Sequence, residues 1–441
     1  MTAGALPGPA DFAGPPTDAD SARWREADDA ARPARLARLR ARFAGAGVDA
    51  YFGLRREHMR YLTGFILGDG EEKVAGTSGH FFVGAEEVVL LADSRYAIQA
   101  RTQAPGARIA DAPRDLAQDW PELVASIGAR RVGVEAALMS HAVWRRLDAA
   151  LPDVELVPVE GWVEADRAVK EPAELERVAA ACAVADRALA GLLPSIRPGA
   201  AERHLALDLE WRLRTGGAEA VAFEPTCLVG PNAAFPHGSP SDAPVRAGAV
   251  VLFDFGAQVD GYRSDMTRTL FVGEPSERDL GIYGLVAAAQ EAAIAQIEAT
   301  VSGDLALPTG RELHEIAYRK IELDGRWEPY RHGLGHGIGL ATHELPSLSA
   351  TALDTPLPSP TVFSVEPGIY LEDETGVRIE DLILLDASAG RVERLTQAVP
   401  QGDGEAQVLP FPAAAERALE TARPAGVDAR EEAQARAGRS A

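Results

Sequence analysis

The stretch VVLFDFGAQVDGYRSDMTRTL, Val250–Leu270, decides the fold. It opens as a continuous apolar run of the kind that fills a buried strand. It breaks around Asp260–Gly261, a turn pair, and then resumes. Two strands joined by a turn predict a hairpin. Asp254 sits in the middle of the first strand, where an ionised carboxylate without compensation costs several kcal/mol or more. Asp265 follows eleven residues later, where a hairpin brings it beside Asp254. Strand alternation then puts Asp265, Thr267 and Thr269 on one face.

Working outward, the same anomaly recurs on two further strands: Glu366 in TVFSVEPG and Glu380 in VRIEDLILL, with Arg378 on the same face as Glu380. One such residue has a bland explanation, a buried ion pair or a strand-end cap. A multivalent cation resolves the cost of all three at once. HGLGHGIGLATHE supplies His332, His336 and His343, three of the nine histidines in the chain. Glycines at 333, 335, 337 and 339 permit close backbone approach to a ligand. Competing motifs fail on spacing. Neither His343-Glu344 nor His314-Glu315 completes H-E-x-x-H, no P-loop is present, and the glycines around His336 do not give a dinucleotide fingerprint. Cys227, ten residues before His237, has only spacing to suggest a thiol nucleophile.

The chain has 441 residues, 46% hydrophobic and 25% charged, enough for two domains and too apolar for wholesale disorder. A formal net charge of −22 argues against nucleic acid or an anionic membrane as the main partner. Two cysteines, Cys182 and Cys227, cannot build a disulfide framework and point to a reducing compartment, the cytoplasm. No run approaches the roughly 20 apolar residues of a membrane helix, and the first residues lack a secretory signal's basic start and apolar core.

The expected organisation is a disordered tail over 1–30, an α/β domain over 31–165, a second domain over 166–400 and a polar tail over 401–441. In the first domain the strand-like runs are Val48–Leu54, Gly79–Val83, Val88–Asp93, Arg131–Glu135 and Val154–Val159, with a further apolar run at Tyr61–Phe65. In the second, helices start at Pro172, Ala201, Ser276 and Thr309, the last with Glu312 in a capping box. Strands follow at Thr361–Glu366 and Arg378–Leu385.

Over roughly Val169–Asp386 these residues resemble the pita-bread metallopeptidases, the family of aminopeptidase P, prolidase, methionine aminopeptidase and the metal-free creatinase. AYFGLRREHMRYLTGF and VVLLADSRYAIQA are similar to the N-terminal domain of the aminopeptidase P and prolidase branch. The resemblance implies an α/β (α+β) fold, with a creatinase-like α/β domain ahead of a catalytic domain built on a curved, mainly antiparallel sheet with flanking helices. It implies five ligands for two divalent ions: Asp254 on one metal, Asp265 and Glu380 bridging, and His336 and Glu366 on the other. Creatinase-like members have lost these ligands, and here all five are present. His237 resembles the histidine that contacts substrate, and His343 the one beside the scissile carbonyl. His332 and Arg378 match residues of prolyl-specific members, while Phe223 stands either as an aromatic wall of the site or as ordinary core. The insertion-like GDGEEKVAG and both tails depart from the pattern.

An oxygen-rich set with one imidazole suits manganese, with cobalt, zinc or iron as alternatives. The implied reaction is attack by a metal-bridging hydroxide on the carbonyl preceding proline. Glu366 would shuttle the proton, and His343 would stabilise the oxyanion. The substrates would be small peptides with proline second, and the assembly a homodimer or homotetramer. Two other readings stay open: a same-fold hydrolase of a non-peptide amide, and a non-catalytic interaction protein, which loss of any ligand would have favoured.

Overall fold

The computed structural model describes residues 8–68, 76–303, 305–398 and 406–409. The chain divides between Val169 and Lys170 into two units, and residues up to Pro16 belong with the second.

The first unit is a six-stranded mixed sheet in the order β4-β3-β2-β1-β5-β6. Its strands are β1 Ala50–Gly53, β2 Phe81–Val83, β3 Val88–Leu91, β4 Arg108–Ala110, β5 Arg131–Glu135 and β6 Glu155–Val159. The β1–β2 and β2–β3 pairs run antiparallel, the rest parallel. Its core centres on Phe52, Phe82 and Trp120, with ring centroids 4.5, 5.1 and 5.5 Å apart. The apolar run at Tyr61–Phe65 closes a helix, Arg56–Thr63, ended by Gly64 at φ 85°, the left-handed conformation glycine adopts at helix C-termini.

The expected disorder over 1–30 is corrected where the structure describes it. A helix runs Asp18–Ala41. The Thr17 hydroxyl accepts the Asp20 N–H at 3.3 Å, and the Asp20 carboxylate accepts the Thr17 N–H at 2.9 Å. Trp24 is fully buried, so a single ring anchors a segment whose composition reads as polar. Ahead of it, Pro9 is buried, the Phe12 carbonyl accepts from Arg187 at 2.6 Å, and Pro15 lies against Gly217. Residues 1–7 and 410–441, and 69–75 of the insertion-like segment, lie outside the described residues.

The described residues of the second unit form four sheets, β11-β10-β7, β20-β12-β9-β8, β14-β13-β15-β18-β19 and β16-β17. The strands are β7 Ala220–Val221, β8 Thr226–Val229, β9 Ala249–Phe255, β10 Ala257–Val259, β11 Tyr262–Arg263, β12 Met266–Val272, β13 Gly335–Gly337 and β14 Glu344–Leu348. Then come β15 Thr361–Val365, β16 Gly368–Leu371, β17 Thr375–Arg378, β18 Asp381–Asp386, β19 Arg391–Arg394 and β20 Val408–Leu409. Among the described strands of this unit only β12–β20 is parallel. β20 falls in the expected polar tail, where Val408 and Leu409 supply a strand to the open edge of β12.

The predicted hairpin is present, with β9 and β12 in register from Phe255↔Met266 to Ala249↔Val272. The connection is itself a small hairpin, β10–β11, turning at Asp260 and Gly261, both at positive φ. The expected strand Arg378–Leu385 is interrupted at Ile379–Glu380, because the Glu380 N–H turns to the Thr267 carbonyl of β12 at 3.2 Å. Behind the sheets lie the helices Pro172–Leu192, Glu202–Thr215, Glu277–Ser302 and Gly310–Glu322, the last two capped by Ser276 and by the Thr309–Glu312 box. Ile294 and Ile297 share one apolar cluster with Leu252, Phe363 and Ile383. The helical stretches Pro172–Ser195 and Glu277–Ser302 are long and apolar enough to span a bilayer by length and composition, but 61% and 56% of those windows is buried, as in core helices.

Candidate active site

All five expected ligands wall one cavity of about 670 Å³ in the second unit. Asp254 lies near the end of β9, Asp265 just before β12, His336 inside β13, Glu366 just after β15 and Glu380 in the break between β17 and β18. β13 fits between its neighbours only because glycines flank His336. A Cβ at Gly335 would lie 1.9 Å from the Ser364 carbonyl oxygen, and one at Gly337 2.1 Å from that of Leu345.

Ligand atoms of Asp265, His336 and Glu380 lie within 4.8 Å of one another. His336 Nε2 is 3.7 Å from Asp265 Oδ2 and 3.3 Å from Glu366 Oε1. Ser364 Oγ donates to Glu366 at 3.0 Å and accepts the His336 N–H at 3.0 Å, fixing both ligands. Thr267 Oγ1 donates to Glu380 Oε2 at 2.8 Å. Below Glu380, Arg268 donates to its backbone carbonyl at 2.6 Å and pairs with buried Asp381 at 2.7 Å.

Burial, then the neighbouring carboxylates, push the Asp265 and Glu380 carboxyls well above the usual range. Glu366 is also buried, but its bond to His336 and nearby positive charge bring it down to about 2. Asp254 Oδ1 and Glu380 Oε1 are buried with no hydrogen-bond partner. Crowded carboxylates with orphaned oxygens beside one imidazole are a donor set that fits hard divalent cations.

The five expected substrate-side residues wall the same cavity. His237 and His343 are exposed and Phe223 is half-buried on the wall. The His343 ring centroid is 4.1 Å from that of His336. His332 Nδ1 lies 2.6 Å from the Gly333 carbonyl, which can only accept, so the hydrogen sits on Nδ1. Burial favours the neutral ring, leaving Nε2 to accept from the Tyr370 hydroxyl at 3.1 Å. Arg378 is buried and largely engaged, with Nη2 donating to Asp254 at 2.6 Å, Nη1 to Tyr370 at 3.1 Å and Nε to Thr267 at 2.9 Å. Its shared face with Glu380 is real, and Thr267 sits between them. Sequence reasoning missed Tyr370 and Ser364. Ser364 lies inside the quoted TVFSVEPG and Tyr370 two residues beyond it, but neither residue type distinguishes a site from a strand end.

Residues 176–387 match the metallopeptidase family M24, and residues 35–169 match the creatinase/prolidase N-terminal domain. An uncharacterised peptidase of Bacillus subtilis is 33% identical over 357 residues, covering 81% of this chain and 96% of its own. This chain belongs to metallopeptidase family M24, in its aminopeptidase P and prolidase branch. Among solved structures, the M24 chain is similar to the Xaa-Pro dipeptidase from Bacillus anthracis, with a TM-score of 0.76 and 32% identity over 86% of this chain and 100% of that one. It is also similar to the X-Pro aminopeptidase from Thermotoga maritima, with a TM-score of 0.73 and 31% identity over 85% of this chain and 99% of that one. The expected two-part fold is thus the fold of the M24 chain.

Proposed function

We propose that this metallopeptidase cleaves the Xaa-Pro bond at the N-terminus of peptides or in dipeptides. The observation that carries the reading is the meeting, in one cavity, of the carboxylate–imidazole cluster with His237, His332, His343 and Arg378. The dipeptidase and aminopeptidase names of the two solved structures support it. Asp254, Asp265, His336, Glu366 and Glu380 would hold two divalent ions, manganese by donor chemistry. When bound, the ions supply Lewis acidity that activates water and polarises the scissile carbonyl.

The side chains supply the rest. Glu366, held by Ser364 and beside His336, is the base that takes the proton and passes it to the imino nitrogen of proline. His343, at the exposed edge beside His336, donates to the carbonyl oxygen as negative charge develops there. His237 and His332 orient the peptide from the cavity walls, and Phe223 packs against it. Arg378 acts through its grip on Asp254 and Tyr370, so its charge fixes a ligand as well as facing the substrate. Two buried free cysteines fit a reducing compartment, the cytoplasm. The family resemblance extends the reading to a homodimer or homotetramer.

The test is turnover of Ala-Pro, Ala-Pro-Ala and Ala-Ala-Ala with manganese, with His237→Ala as a variant. Cleavage confined to the proline peptides is expected, and in His237→Ala a fall in kcat with metal content retained. Equal cleavage of Ala-Ala-Ala sinks the prolyl assignment. Failure on every peptide turns the reading to a non-peptide amide.

A further inference from the structure

The ligand-lined cavity has a neighbour on the other side of His332. A second cavity, of about 650 Å³, has His332, Gly333 and Ser349 as walls in common with it. Its far wall carries His314 and Tyr318, a turn apart on the Gly310–Glu322 helix, and Tyr330. Ring centroids run continuously between the two spaces. Tyr318 is 6.0 Å and His314 5.6 Å from Tyr330, Tyr330 stacks on His332 at 5.0 Å, and His332 is 5.7 Å from Tyr370. His314 is 7% exposed and its Nδ1 has no hydrogen-bond partner. Burial holds this ring on the neutral side. A buried, unsatisfied ring nitrogen on a cavity wall is a group that the backbone of a bound peptide can satisfy.

From these shared walls and ring contacts we infer that the second cavity is the downstream subsite of the same active site. The preferred substrates are then peptides that continue past the proline and place an apolar or aromatic residue against Tyr318. The inference rests on the Xaa-Pro reading, which counts His332 among the residues of prolyl-specific members. Two observations favour a longer peptide over a free dipeptide. Arg378, a buried cation on the wall of the first cavity, already bonds Asp254, Tyr370 and Thr267. And beyond His332 the adjoining cavity carries the half-buried Tyr318 ring, against which apolar side chains and rings pack favourably.

The experiment compares kcat/KM for Ala-Pro, Ala-Pro-Ala, Ala-Pro-Phe and Ala-Pro-Ala-Phe in the manganese-loaded wild type and in Tyr318→Ala, Tyr318→Phe and His314→Ala. Metal content and thermal unfolding are followed alongside. The wild type should prefer the longer, Phe-bearing peptides. Tyr318→Ala should lower the ratio of Ala-Pro-Ala-Phe or Ala-Pro-Phe to Ala-Pro about tenfold, the factor that 1.4 kcal/mol of lost ring contact gives. Tyr318→Phe, which keeps the ring, should restore it. Equal loss on all four peptides, or an unchanged ratio, overturns the subsite and leaves the Xaa-Pro reading standing. So does a change in preference for the first residue, which would put the second cavity upstream. Failure of every proline peptide in the wild type overturns both.

Discussion

Each unit buries carboxylates, and one acid of the first unit is treated in the opposite way to the cluster in the second. In the first unit Glu135, at the end of β5, accepts from the Tyr51 hydroxyl, from His58 Nδ1 and from the backbone N–H groups of Leu54 and Arg55. Burial pushes its carboxyl up, but these donors and the charge on His58 prevail and hold it at about 2. In the second unit Asp265 and Glu380 are pushed up, and Asp254 and Glu380 each keep an oxygen without a partner. A buried acid that the protein satisfies is part of the scaffold. A group of buried acids left unsatisfied is a binding site for positive charge. Burial does not separate the two, and the count of donors does.

The largest test of that distinction is Asp265→Ala. Without this carboxylate, metal content should fall and turnover should drop at least about a thousandfold, on the order of 4 kcal/mol of barrier. Full metal content and full activity would place Asp265 with the scaffold acids instead. Next comes Glu135→Gln, which should leave metal content alone and cost the first unit about 3 kcal/mol at neutral pH, the worth of a carboxyl moved from 4.5 to about 2. Because the folded value is the lower one, that stability is present above about pH 4.5 and is lost as pH falls through about 2. Unfolding of wild type and variant should therefore converge at the acid end, and a constant gap across pH would mean that Glu135 acts through shape rather than charge. The smallest effect is the most discriminating. In chelator-treated protein, Glu380→Gln should raise the unfolding temperature by a few degrees, on the order of 1 kcal/mol, because it relieves like charges that no ion then screens. A lower temperature would mean that the cluster is satisfied without a cation.

The sequence made one side of this comparison visible and hid the other. Asp254, Glu366 and Glu380 stood out because each interrupts an apolar run, and the spacing of Asp254 and Asp265 brought them into one hairpin. Glu135 ends its strand in RVGVE, where a charge reads as ordinary exposure, and its donors lie about 80 residues away in sequence. Arg378 was legible as a residue of the site, but its grip on Asp254 was not, since that contact spans 124 positions. The tails misled for another reason. Composition reports average burial, and Trp24 and Leu39, both fully buried, anchor a helix that averages as polar.

The parallel strand β20 has a practical meaning for anyone trimming this chain. The N–H groups of Phe271 and Gly273 point to the carbonyls of Gln407 and Leu409 at 2.9 and 2.8 Å, so these few residues cover a rim of β12 that would otherwise recruit a stray strand. A chain cut near residue 400 would keep every ligand and every wall of the pocket. It would also carry a bare, adhesive border on the strand that follows Asp265, and its failure would be seen as precipitation or chain-to-chain pairing before any change in chemistry. A cut beyond Leu409 keeps that cover in place.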